Sequence, residues 1–101
     1  MALNEKLRPV AERKLNEILH YRLTNYSRHS SFNFMKEMTE KVRQLLHQPA
    51  SGRLFRGNTV EVPLRYIVIA DTQRLYYTYD EFTLSIVDFI HVRAGANPYE
   101  Q

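Results

Sequence analysis

A chain of 101 residues with 44% hydrophobic and 25% charged side chains, three Gly and four Pro has the make-up of one small globular domain with a single core. The absence of Cys excludes a disulfide framework, thiolate metal sites and thiol catalysis, and fits a reducing, cytoplasmic home. No signal-peptide pattern and no apolar run of the roughly 20 residues a membrane span needs is visible. The net charge of +3 is uneven. Residues 1–48 carry nine Lys/Arg against five Glu, whereas residues 49–101 carry five Arg against six Asp/Glu and no Lys. A basic first half attracts acidic partners, and arginine is the better fork for phosphate and carboxylate oxygens.

Met1 to Arg8 is a lead-in, either a short edge strand or an extension of the first helix. Val10, Ala11, Leu15, Ile18, Leu19 and Leu23 form one stripe at three- and four-residue spacing, which predicts a helix. Pro9 suits its first turn through a fixed φ and a missing N–H, so the helix is expected from residue 9 to about Asn25. A polar stretch with Ser27, Ser30 and Ser31 precedes a second helical stripe of Phe34, Met35, Met38, Val42, Leu45 and Leu46. The pair reads as a helical hairpin over about 9–48, with Met and Phe as core rather than as a cofactor box.

Pro49 stops the second helix, and Gln48 to Arg53 is a turn-rich connection. The period then changes to 2. A strand is expected between Thr59 and Ala70, interrupted or started afresh at Pro63, followed by a turn at Asp71-Thr72, a strand from Arg74 to Tyr79, a reversal at Asp80-Glu81 and a strand from Phe82 to Val92. The expected architecture is α+β: an N-terminal helical hairpin packed on one face of a small antiparallel β-sheet.

Alternation puts Ser85, Val87, Phe89, His91 and Arg93 on one side of the last strand and Leu84, Ile86, Asp88, Ile90 and Val92 on the other. Arg74, Tyr76 and Thr78 share a side of the strand before. If the more polar sides coincide, Arg74, His91 and Arg93 converge on a face suited to a phosphodiester or a carboxylate. Arg74 can equally serve as a structural partner for Asp88 or Asp80. The four His show no metal-ligand spacing, so neither metal nor cofactor is expected.

Several motifs resemble the RelE/ParE-type toxins of bacterial toxin–antitoxin modules, the plasmid stabilisation family. They are Pro9 to Leu15 with Ile18 and Tyr21, like the family's helix opening; Leu45, Pro49, Gly52 and Arg53, like its connection; Arg74-Leu75-Tyr76-Tyr77, like its Tyr-Arg-hydrophobic-hydrophobic-Tyr strand; and Ile90 to Arg93 with Pro98, like its closing strand. The resemblance implies a growth-inhibiting toxin neutralised by a cognate antitoxin, whose segment orders on binding by laying a helix across the hairpin or adding a strand to a sheet edge. It further implies either ribosome-dependent cleavage of mRNA by a metal-independent endoribonuclease or poisoning of DNA gyrase. In the nuclease case Arg74, His91 and Arg93 would be catalytic, with Glu61 complementing His91, while Arg53, Arg65 and Tyr99 would bind RNA. This chain lacks the middle-strand lysines of the RelE-type nucleases and has Gln73 in place of the usual tyrosine before the arginine, leaving His91 to do the acid–base work. A protein-binding module that keeps the fold without the activity is the remaining alternative.

Overall fold

The computed structural model describes residues 2–55 and 63–94. Five strands and two helices follow in the order β1 (Asn4–Leu7), α1 (Pro9–Asn25), α2 (Arg28–His47), a 3-10 turn at Pro49–Ser51, β2 (Arg53–Phe55), β3 (Leu64–Ile69), β4 (Gln73–Tyr79) and β5 (Thr83–His91). The lead-in is therefore a strand. It pairs with β5 in parallel, so the sheet, with order β1-β5-β4-β3-β2, is mixed rather than wholly antiparallel.

Local chemistry sets the helix limits. Pro9 opens α1, and α2 opens earlier than its apolar stripe because the Ser27 side chain accepts the N–H of Ser30 at 3.0 Å, satisfying a donor that the first turn leaves open. Ser30 and Ser31 thus lie inside α2. Pro49 closes it. Ala11 and Leu15 of α1 and Phe34, Met38, Val42 and Leu45 of α2 pack on Ile69, Leu75, Tyr77, Leu84, Ile86 and Phe89 of the sheet. Each fully buried side chain of this size contributes about 1.5–3 kcal/mol. A smaller cluster of Leu64, Tyr76 and Ile90, with Phe55, Tyr66 and Val87 against it, occupies the other side of the sheet.

The pairing of β4 with β5 is not uniform. Tyr77 faces Ile86 but Tyr76 faces Asp88, so the register skips Val87. Such a bulge reverses the alternation beyond it. Leu84 and Ile86 face the helices, and so does Phe89, whereas Ile90 joins the smaller cluster. Asp88, 5% exposed, sits at this irregularity and binds Lys14 of α1 at 2.7 Å, pinning the helix to the sheet.

The connection after α2 is clasped by Tyr77. Its hydroxyl donates to the Pro49 carbonyl at 2.6 Å and accepts the Gly52 N–H at 3.0 Å; burial pushes its pKa up, which keeps the donor proton in place. Position 52 must be Gly because a Cβ there would lie against the Tyr77 hydroxyl and within 2.8 Å of ring atom Cε1. Gly52→Ala is expected to cost about 1–3 kcal/mol by overpacking. A urea double-mutant cycle with Tyr77→Phe should return less than the sum of the two single losses.

The β3–β4 turn has a different strain. Ala70 and Asp71 both have positive φ, 52° and 57°, and the Thr72 N–H closes the turn on the Ile69 carbonyl at 3.1 Å. Two successive left-handed residues suit the twist of a hairpin but favour Asn-Gly over Ala-Asp. Replacing the pair by Ala70→Asn and Asp71→Gly should raise stability by about 1 kcal/mol, measured as a higher urea midpoint with unchanged slope.

Candidate functional site

Reversal of the alternation at Val87 separates the residues that the sequence places together. Beyond the bulge, Gln73 faces His91 and Arg74 faces Ile90. His91 therefore shares a side with Phe89, toward α1, and Arg74 shares one with Tyr76 and Ile90. The expected convergence of Arg74 with His91 is not found; each lines its own groove.

The first groove, of about 510 Å³, lies between α1 and the adjoining ends of β4 and β5. Lys14, Glu17, Ile18, Tyr21 and Arg22 reach it from α1 at three- and four-residue spacing, with Tyr26, Thr72, Gln73, Phe89 and His91 completing the lining. Arg22 donates to Ser30 Oγ at 3.0 Å and to Thr72 Oγ1 at 3.2 Å, and lies 4.9 Å from the Phe34 ring centre. His91 Nδ1 accepts the Arg93 N–H at 3.0 Å, so the neutral ring carries its proton on Nε2 and offers a donor there rather than a base. Arg93 itself is exposed on the turn after β5 and lines neither groove.

The second groove, of about 570 Å³, follows the edge of β3 and is lined by Lys41, Gln44, Leu45, Ser51, Gly52, Arg53, Tyr66, Ile67, Val68, Arg74 and Val92. The Arg74 guanidinium lies over the Tyr66 ring at 4.7 Å and donates to Tyr76 Oη at 3.4 Å. Arg53 is exposed at the groove. Arg65 is used elsewhere: its Nη1 donates to the carbonyls of Ala50 and Gly52 at 3.0 and 2.9 Å. Among the described residues no His or carboxylate lines this groove. Tyr99, Glu61 and Pro98 lie outside the described residues.

Sequence reasoning missed Lys41 and Tyr66 in the second groove and Lys14, Arg22 and Tyr26 in the first. The α1 members were readable as a helical stripe beside the core stripe; Tyr66 and Lys41 come together only through the tertiary fold. Among the described residues no group of three His, Cys, Asp or Glu could hold a metal ion, and no helix is long and apolar enough to cross a membrane.

Around the β3 edge, backbone groups are taken up by α2. Lys41 Nζ donates to the Val68 carbonyl at 2.8 Å and meets Glu37 Oε2 at 3.2 Å, and that same oxygen accepts the Ala70 N–H. The Ala70 N–H first, with help from Lys41, lowers the Glu37 pKa against the opposing effect of burial. A depressed folded pKa gives stability that is complete above the unfolded carboxyl value of about 4.3 and is lost as pH falls through the lower folded value. Glu37→Gln should therefore flatten the acid side of the stability profile, read as urea midpoints followed from neutral pH down through the carboxylate range. An unchanged acid slope would show that the Ala70 contact carries no such linkage.

No family model and no curated protein matches this sequence. Among solved structures the chain is similar to a chain of the chromosomal ParDE TA system from P. aeruginosa, with a TM-score of 0.69 at 16% identity, covering 91% of this chain and 98% of that one. At that identity the likeness is one of fold, and it extends over nearly the whole of both chains: the helical hairpin on a mixed five-stranded sheet is the RelE/ParE-like fold.

Proposed function

We propose that this chain is the toxin of a toxin–antitoxin pair, held inactive by a cognate antitoxin, and that it acts on DNA gyrase by binding rather than by cleaving mRNA. The end-to-end likeness to a ParDE chain supports the toxin reading. The choice of target rests on one observation: among the described residues, no His or carboxylate lines the groove holding Arg53 and Arg74, and His91 opens on the other groove. Metal-independent RNA cleavage needs an acceptor for the 2′-hydroxyl proton and a donor for the leaving 5′-oxygen. Guanidinium groups, protonated at all relevant pH, stabilise a phosphate without accepting that proton. A toxin that works by binding needs only a surface, and the hairpin offers exposed Leu23, Tyr26 and Phe32. An acidic antitoxin segment suits the basic first half.

The mRNA-cleaving reading keeps one feature in its favour. Arg74 over Tyr66, with Arg53 beside it, combines cations and an aromatic face in the manner of single-strand binding. Pulse-labelling of DNA and protein synthesis within minutes of inducing the chain in bacteria separates the two. DNA synthesis is expected to fall first, with a DNA-damage response, and the Arg53→Ala/Arg74→Ala double variant should remain toxic. An immediate fall in protein synthesis that this double variant abolishes would establish mRNA cleavage instead. Growth unaffected by the folded wild-type chain would overturn the toxin reading altogether.

A further inference from the structure

The groove against α1 shares only Tyr26 with the surface offered for gyrase and only His91 with the nuclease reading, yet its lining is that of a small-ligand site. Its volume of about 510 Å³ falls in the range of small-molecule pockets. Lys14 and Arg22 are eight helical steps apart, or about 12 Å along α1, the length of a mononucleotide. The apolar floor is Ile18 and Phe89. At one end Tyr21 and Tyr26 stand edge to face with centroids 6.0 Å apart, and both are largely exposed, at 57% and 69%. Large aromatic rings held by their neighbours but open to water are stacking surfaces looking for a planar partner.

Polar groups suited to an anion line the same groove. Arg22 is oriented by two hydroxyls, Ser30 Oγ and Thr72 Oγ1, and its charge also acts on the Glu37 carboxylate. Arg93 N–H fixes the His91 ring so that Nε2–H is the free donor. Thr72 and Gln73 add neutral donors. Lys14 is taken by Asp88 and contributes less. Farther along, Glu17, 69% exposed and only loosely paired with Arg13 at 3.9 Å, is an acceptor for an exocyclic amino group.

We propose that this groove binds a nucleotide whose base carries an exocyclic amino group, the base stacked on the Tyr26 ring with Tyr21 edge-on beside it and Glu17 at its amino edge, and the phosphate met by Arg22 and His91 Nε2–H. The chemistry is shared by a free nucleoside monophosphate and by a nucleotide within a single strand of RNA. The site stands apart from the Arg53–Arg74 groove and does not depend on the toxin reading.

The test is an NMR titration of the whole chain with AMP and GMP, with the matching nucleosides, with inorganic phosphate, and with a short purine-rich oligoribonucleotide. Saturable shifts of the Tyr21, Tyr26 and His91 ring resonances are expected with the monophosphates, and binding about tenfold weaker with the nucleosides, for the loss of one charge-assisted contact. Tyr26→Ser should weaken nucleotide and nucleoside alike by about tenfold or more, the effect of losing one stacking face. His91→Ala should erase most of the advantage of the nucleotide over the nucleoside. Both residues are exposed, and an otherwise unchanged amide spectrum certifies the fold. Tighter binding of the oligoribonucleotide assigns the site to an RNA strand; equal or weaker binding assigns it to the free nucleotide. No saturable shift, shifts indifferent to both substitutions, or inorganic phosphate binding as well as the nucleotide would overturn the proposal.

Discussion

One residue in the β4–β5 ladder, Val87, governs what the sheet can offer to a ligand. Because the pairing passes from Tyr77–Ile86 to Tyr76–Asp88, every side chain after it changes face relative to a continuous strand. The gain is structural. Phe89 completes the core beneath the helices while Ile90 and Val87 cover the second cluster, so both sides of the strand acquire an apolar anchor. Asp88, at the irregularity, becomes the point to which Lys14 ties α1. Removing that ammonium would take the described ion pair from a buried carboxylate, a destabilising change, so bulge and ion pair support each other. The functional consequence follows from the same geometry: His91 goes with Phe89 toward α1, and Arg74 remains on the opposite side.

A second regularity is how the basic residues are spent. Arg65 holds the carbonyls of Ala50 and Gly52, Lys41 holds that of Val68, and Arg22 holds two hydroxyls from different elements. These cations join segments that the backbone ladder does not reach: the connection after α2, the edge of β3, and the β3–β4 turn. Each contact satisfies backbone or hydroxyl oxygens that would otherwise need water. An excess of positive charge in the sequence is thus only partly a statement about acidic partners. Arg53 is exposed at the second groove and Arg93 on the turn after β5, whereas Arg65 and Lys41 are largely committed to the fold.

Much of the fold was legible, and for physical reasons. Pro9 and the stripe from Val10 to Leu23 set α1, Pro49 set the end of α2, and the alternation from Arg74 to Tyr79 set β4 and its faces. Three features were not legible. β1 has too few apolar residues to announce a strand and owes its existence to the partner it finds in β5. Arg53–Phe55 is three residues long and reads as part of a turn, becoming a strand only by pairing with β3. The bulge leaves no mark in composition, since Val87 is as good a strand residue as its neighbours. Strict alternation applied to β5 therefore carried the candidate site with it. It joined Arg74 to His91 by parity, and parity is what the bulge breaks.

The separation bears on what kind of protein this fold carries here. A catalytic constellation demands that proton donor, proton acceptor and charge stabiliser meet within hydrogen-bond reach of one reacting centre. On this chain the stabilising guanidinium and the imidazole open on different grooves, and the imidazole's Nδ1 is closed by the Arg93 N–H. Each groove taken alone has the complement of a binding site: cations, an aromatic face and an apolar wall. The helical hairpin and the two grooves are separate surfaces, all set by a sheet whose faces exchange roles at Val87.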